Sequence, residues 1–332
     1  MNIKRNENFN NFRDPIITEN RPKLFSIPFD NKDIDIEPEF STFPPPKLVR
    51  YGFNHEGRLN ITNIIKNPYY KNGLPINFER TDEYSPKKIL EEKINIKDSD
   101  LHVLTIIELE KVFSIDLTGN NIYSEDNTAI SKITKKKNNN IYFRYADIPI
   151  DENGCIHIIY NNLNNLFKTI NIGGNMIIQL FSCETDVMAQ LIQFFISKFT
   201  KSYFYVPMLT SSMFEEKYLV LLDCKNNSVK ELKKLSDSEY LFGIGIKTSD
   251  AVFSKIQSVN SVLLPEKICV YGRIKKYLDS ELLEGATYTH MLQLQNNNLI
   301  NWIKMFIDQS SEGIFNELSK EEYHIDTETV YY

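Results

Sequence analysis

The chain has 332 residues, 42% hydrophobic and 25% charged, with a formal net charge of −6. That is globular composition with room for a core domain and appendages. The acidic balance argues against a protein whose main task is coating nucleic acid, while leaving room for a local basic face.

No apolar run reaches the roughly 20 residues of a membrane-spanning helix, so no membrane partner is expected. The opening MNIKRNENFNNFRDP lacks the apolar segment of a signal peptide. The four cysteines, Cys155, Cys183, Cys224 and Cys269, are far apart and form no CxxC. Buried free thiols in a reducing, cytoplasmic setting are the expectation.

Taken in order, residues 1–46 read as an extended, proline-containing arm lying over a surface, or as a partly disordered tail. Pro44, Pro45 and Pro46 favour polyproline II and forbid a helix there. Ser85-Pro86 predicts a helix start, running through KKILEEKI. LHVLTIIELEKV from Leu101 fits a buried strand or a helix, which periodicity does not separate. VFSIDL, Val112–Leu117, predicts a buried strand ending in a turn at Thr118-Gly119-Asn120. Asn127–Lys137 reads as a strand or helix followed by a solvated loop.

Ile141–Ile150 predicts a strand ending at Asp147. Cys155–Ile170 carries apolar residues at helical spacing, and Gly173-Gly174 is expected to end that helix. Met176–Phe181 predicts a strand, Asp186–Phe199 a helix, and Tyr203–Val206 with Lys217–Cys224 a hairpin. Strands thus alternate with helices, as in an α/β domain with a mainly parallel sheet, over residues 47–225. Residues 226–332 read as a helical C-terminal region, with SVKELKKLSDSEYLF among its helices and a loose polar end.

Few residues stand out as candidate chemistry. Asp147 sits where a strand is expected to end, the position at which open α/β sheets bind ligands; it serves as a functional carboxylate or as a turn cap. Gly119 in DLTGN is a weak nucleotide-loop candidate, because such loops need several glycines for close backbone approach. Glu215-Glu216 is expected to start the last strand, where the bland reading is a solvated pair. Lys135–Lys137 reads as a solvated loop, although phosphate contact uses such clusters. The five histidines show no metal spacing, so no metal is expected. There is no GxSxG, HExxH or P-loop.

The order of elements from residue 141 to 225 resembles the second half of the FtsJ-like RNA ribose 2′-O-methyltransferases. The strand Gly173-Gly174-Asn175-Met176-Ile177-Ile178-Gln179 matches the family's GG-hydrophobic-Lys strand. Val206-Pro207-Met208-Leu209-Thr210-Ser211-Ser212 is similar to its KPxxSR-like segment, and Glu216-Lys217-Tyr218-Leu219-Val220 to its SxExY piece. Asp147 in YADIP lies where the family has its SDxxP-type aspartate. The resemblance implies a Rossmann-like methyltransferase-type sheet.

It also implies a Lys-Asp-Lys-Glu catalytic tetrad, whose central lysine position is Gln179 here. Asp147 and Glu216 match the Asp and Glu. A neutral amide cannot act as a tuned base, and the glycine-rich methyl-donor loop is missing. A fold with these losses resembles the small, non-catalytic subunits of poxvirus-type mRNA-capping enzymes, as does Pro46-Lys47-Leu48-Val49-Arg50-Tyr51-Gly52. That resemblance implies a heterodimer with the large catalytic subunit, stimulation of cap guanine-N7 methylation, no catalytic residues, no bound cofactor, and contact with RNA or the transcription machinery. The alternative is an active, S-adenosylmethionine-dependent cap 2′-O-methyltransferase, its donor held near Gly119 and Asp147.

Overall fold

A computed structural model describes residues 20–28, 34–48, 61–83, 85–95, 100–117, 122–124, 138–145, 151–281, 283–308 and 311–321. Its strands are β1 (Lys23–Ile27), β2 (Glu39–Ser41), β3 (Ile122–Ser124), β4 (Asn138–Arg144), β5 (Ile170–Leu180), β6 (Phe199–Val206), β7 (Lys217–Cys224) and β8 (Tyr240–Gly243). Its helices are α1 (Ile61–Ile65), α2 (Pro86–Ile94), α3 (Leu101–Phe113), α4 (Glu152–Thr169), α5 (Asp186–Ser197), α6 (Asp250–Asp279), α7 (Ala286–Ile303) and α8 (Ser311–Leu318).

Six strands form one mixed sheet in the order β1-β6-β7-β5-β4-β3, and β2 pairs with β8. β3, β4 and β5 run parallel. β7 is inserted antiparallel between β5 and β6. The hairpin expected from Tyr203–Val206 and Lys217–Cys224 is therefore present, and its second strand closes onto β5. The arm also contributes: β1 lies antiparallel on β6 and forms the sheet edge, Leu24 opposite Tyr205.

Strand residues alternate between two apolar layers. Ile141, Phe143, Met176, Ile178, Leu219 and Leu221 face α4, α5 and the first half of α6. Tyr142, Ile177, Tyr205, Tyr218 and Val220 face α2, α3, α7 and α8. A sheet covered on both faces needs near-continuous apolar strands, which is why MIIQLF and YLVLL carry so little polarity. In α5, Phe194 and Phe195 are each 1% exposed; Phe195 stacks on Phe167 of α4 and Phe194 meets it edge-on. Truncating a ring in such a core costs about 3–5 kcal/mol.

Caps set the helix starts. Asp100, Asp151, Thr185 and Ser249 each accept a backbone N–H of the first turn of α3, α4, α5 and α6. The start at Ser85-Pro86 holds, with Pro86 in the first turn of α2.

Several expectations are corrected. The sheet is not mainly parallel, because β1, β6 and β7 all pair antiparallel. Val112–Leu117 is not a strand. Leu101–Phe113 is one helix, closed by left-handed Ser114 at φ 53°, and the Leu117 N–H goes to the Glu110 carboxylate at 2.6 Å. Gly173-Gly174 do not end α4, because the helix passes into β5 at Ile170. The glycines sit in a bulge, where Asn138 pairs with Ile170 but Asn140 pairs with Asn175. Gly173 takes φ 78° there, a conformation glycine adopts without penalty.

The stretch SVKELKKLSDSEYLF is not helical. Residues 226–235 run irregularly along α4, and the stretch ends in β8. Two α4 asparagines replace the missing helical bonds. Asn164 donates to Leu232 O and accepts Leu232 N–H. Asn161 does the same with Leu235. The backbones of Leu232 and Leu235 are satisfied without a helix, while their side chains still enter the core.

The strand expected to reach Asp147 stops at Arg144. Asp147, the Thr118-Gly119-Asn120 turn and Lys135–Lys137 lie outside the described residues.

Candidate functional site

The parallel strands bring their carboxyl ends to one edge, where Gln179, near the end of β5, pairs in register with Tyr218 of β7. Register pairs in an antiparallel ladder share a face. Gln179 and Tyr218 therefore stand on the layer that holds Tyr142, Ile177 and Val220. Glu216 precedes β7 by one residue and reaches the same place.

The hydrogen bonds there are closed among the protein's own groups. The Gln179 amide donates to Glu216 Oε1 at 2.8 Å. The Gln179 carbonyl accepts Tyr145 N–H at 3.1 Å. Tyr218 OH donates to the same Glu216 oxygen at 2.6 Å. Tyr142 stacks on Tyr218 at 5.9 Å between centroids, and their hydroxyls meet at 3.3 Å.

Burial pushes the Glu216 carboxyl above its ordinary range, against the pull of Tyr218, Gln179 and the Arg144 guanidinium. Burial likewise drives the Tyr218 hydroxyl well above its ordinary value, and Glu216 adds to the shift. His102, on the first turn of α3, is held below its ordinary value by burial and by Arg144. These shifts favour a neutral Tyr218 beside the Glu216 carboxyl group and a neutral His102.

The site is thus a buried polar plug. Gln179 is 4% exposed, and its amide is engaged through both its oxygen and its nitrogen. It neither accepts nor releases a proton in ordinary chemistry. Gln179 and Glu216, matched to two tetrad positions by sequence, are brought into contact. Tyr142, Tyr218 and Arg144 complete the cluster and were not singled out. The available signal was the strand period of two, which puts Tyr142 and Arg144 of IYFRY on one face.

The neighbouring Glu215 is not half of a solvated pair. It is 4% exposed, takes φ 54°, and pairs with Lys267 of α6 at 2.7 Å. Lys217 is also buried and points to the opposite layer, donating to Phe181 O and Glu215 O. Nearby, burial pushes the Cys155 and Cys183 thiols up to about 12. Cys269, expected to be buried, is exposed.

Two concavities, of about 440 and 350 Å³, lie on either side of β8, and Gln179 and Glu216 line neither. Among the described residues, no group of three or more His, Cys, Asp or Glu side chains would hold a metal ion. No helix among them is long and apolar enough to cross a membrane.

No family model matches the chain. It is 32% identical over 319 residues to "Uncharacterized protein R383" of Acanthamoeba polyphaga mimivirus, an alignment covering 87% of this chain and 91% of that protein. Identity at that level along nearly the whole of both chains makes this protein a member of the same family as the mimivirus protein.

Proposed function

We propose that this chain is a methyltransferase-type protein without catalysis that serves as the regulatory subunit of a viral mRNA-capping enzyme. In this reading it binds the large catalytic subunit and raises its cap guanine-N7 methylation. The observation that carries the reading is the Gln179 plug. The position the resemblance assigns to a catalytic lysine holds a neutral amide bonded to Tyr145 N–H and Glu216. A residue locked in that way serves packing, and the sheet around it is retained as a scaffold.

Two further observations support it. The parallel run β3–β4–β5 puts Gln179 at the end of the sheet where ligands of open α/β folds bind. The relative reported above is a mimivirus protein, and a viral origin fits a viral capping subunit.

The test is co-expression with a large capping subunit from the same source, followed by a guanine-N7 methylation assay on capped RNA. The reading expects a stable complex and faster methylation than the large subunit gives alone. An unchanged rate with this chain present removes it. Calorimetry with S-adenosylmethionine on the isolated chain decides against the active 2′-O-methyltransferase if no heat of binding appears.

A further inference from the structure

We infer that the Phe43–Pro46 ridge is a docking element whose occupant is a partner protein with an aromatic-lined groove and a flanking basic side chain. The inference rests on the regulatory reading above and deepens it, since the partner is then the large capping subunit.

The sequence TFPPPK sets the ridge by itself. Pro44, Pro45 and Pro46 have fixed φ, and Phe43, Pro44 and Pro45 each precede a proline, which forces extended ψ. Such a run favours polyproline II, a conformation with no internal hydrogen bonds. Both ends are tied down. Ser41 of β2 pairs with Tyr240, and its hydroxyl accepts Phe43 N–H at 3.0 Å. Beyond the prolines, Lys47 bridges to Thr185 and pairs with Glu184, and Leu48 N–H donates to Glu184 O at 2.9 Å. The ordering cost of binding is therefore largely met before a partner arrives.

Burial along the ridge is uneven. Pro45 is buried against the protein, and Phe43, Pro44 and Pro46 face out. Phe43 is 75% exposed, the highest value among the exposed large hydrophobics described. A phenyl ring held rigidly in water is a natural anchor for an interface. Beside the ridge lies the concavity of about 440 Å³, walled by Pro45, Pro46, Val187, Phe242 and Ile246. Phe242 is 47% exposed at its mouth.

Polyproline ridges are gripped by grooves of aromatic side chains, which pack on the proline rings while donors meet the free carbonyls. Glu39, exposed on the wall of the concavity, has no ion pair among the described residues. It supplies the charge that a basic side chain of the partner would complement.

The experiment is titration calorimetry of the full chain with the large capping subunit, comparing wild type with Phe43→Ala, Pro44→Ala/Pro46→Ala, Glu39→Lys and, as a remote control, Ile300→Ala on α7. Each altered side chain is exposed, so thermal melts should match wild type. Loss of the anchor should weaken binding about 30-fold. Loss of the two outward prolines should weaken it about tenfold. Glu39→Lys should weaken it most at low salt, and Ile300→Ala should leave it unchanged. Wild-type binding that Phe43→Ala does not alter overturns the docking inference and leaves the regulatory reading standing. No binding by the wild type overturns both. A Phe43-dependent dimer of this chain alone, seen by sedimentation, assigns the ridge to a second copy and overturns the inference as stated.

Discussion

The side chain of Gln179 donates to Glu216 at 2.8 Å while its carbonyl accepts Tyr145 N–H, so one amide joins the ends of β4 and β5 to the start of β7. Replacing it by lysine tests what that amide silences. Gln179→Lys keeps a donor toward Glu216 but leaves Tyr145 N–H without its acceptor, a loss of about 1–3 kcal/mol. On the regulatory reading proposed above, the variant should fold, melt at a lower temperature, and still fail to transfer a radiolabelled methyl group to capped RNA. Methyl transfer by this variant would show that Gln179 alone had switched the site off.

Glu108 makes a second prediction, about stability. Its carboxylate is 1% exposed and ties three elements together: it accepts Tyr205 OH at 2.6 Å, Met208 N–H at 2.7 Å and Trp302 Nε1–H at 2.9 Å. Removing the acceptor orphans three buried donors, so Glu108→Ala should cost about 3–5 kcal/mol. Burial raises the Glu108 carboxyl from 4.5 to about 7, partly offset by those three bonds. A raised folded-state value means that the folded chain binds the extra proton. Glu108 therefore contributes most below pH 4.5, and its contribution is lost as pH rises toward 7, by at most about 1.4 kcal/mol per unit. Urea melts of wild type and Glu108→Gln from pH 5 to pH 8 isolate this effect. Wild type should lose stability relative to the glutamine variant as pH rises.

What the sequence made legible was the set of continuous apolar runs and the caps. Lys217–Cys224 is β7 and Asp186–Phe199 covers α5, while Met176–Phe181 covers only the second half of β5, whose first half, around the Gly173 bulge, is less buried. Val112–Leu117 misled because a β-branched, apolar hexapeptide fits a strand locally, whereas α3 had already claimed its first two residues. Residues 226–235 misled for a different reason. Their leucines have helical spacing, but their backbone partners are Asn161 and Asn164, some 70 positions earlier, which no local pattern reports. At the site, Gln179 and Glu216 were found through a resemblance. Tyr142 and Arg144 were not, because only the register of β4 against β5 brings them there.

The asparagine contacts give a third prediction. Asn161 and Asn164 each hold one N–H and one C=O of the 226–235 stretch. Water replaces these bonds when the stretch lifts, so the net loss is about 0.5–1.5 kcal/mol per bond and stays local. The double variant Asn161→Ala/Asn164→Ala should keep its global melt within a few degrees of wild type. It should be cut much faster by trypsin after Lys230, Lys233 or Lys234. Faster hydrogen exchange at the Leu232 and Leu235 amides, with α5 amides unchanged, would confirm the local release; exchange that rises equally throughout would contradict it.

The cysteines give the last. Cys155, Cys183 and Cys224 are buried and Cys269 is exposed on α6. Burial pushes the Cys155 and Cys183 thiols up to about 12 and Cys224 to about 11. At pH 8 a thiol near 12 is ionised in about one molecule in ten thousand, and the thiolate is the nucleophile. Ellman's reagent should therefore modify one thiol per native chain quickly, Cys269, and all four only after guanidinium unfolding. Cys269→Ser should abolish the fast phase. The buried Lys217 ammonium lowers the Cys155 and Cys183 values but does not outweigh burial, so Lys217→Met should leave the labelling count at one. A second fast thiol in native Lys217→Met would mean that the ammonium, bonded to Phe181 O and Glu215 O, is what holds the 181–184 loop over those thiols.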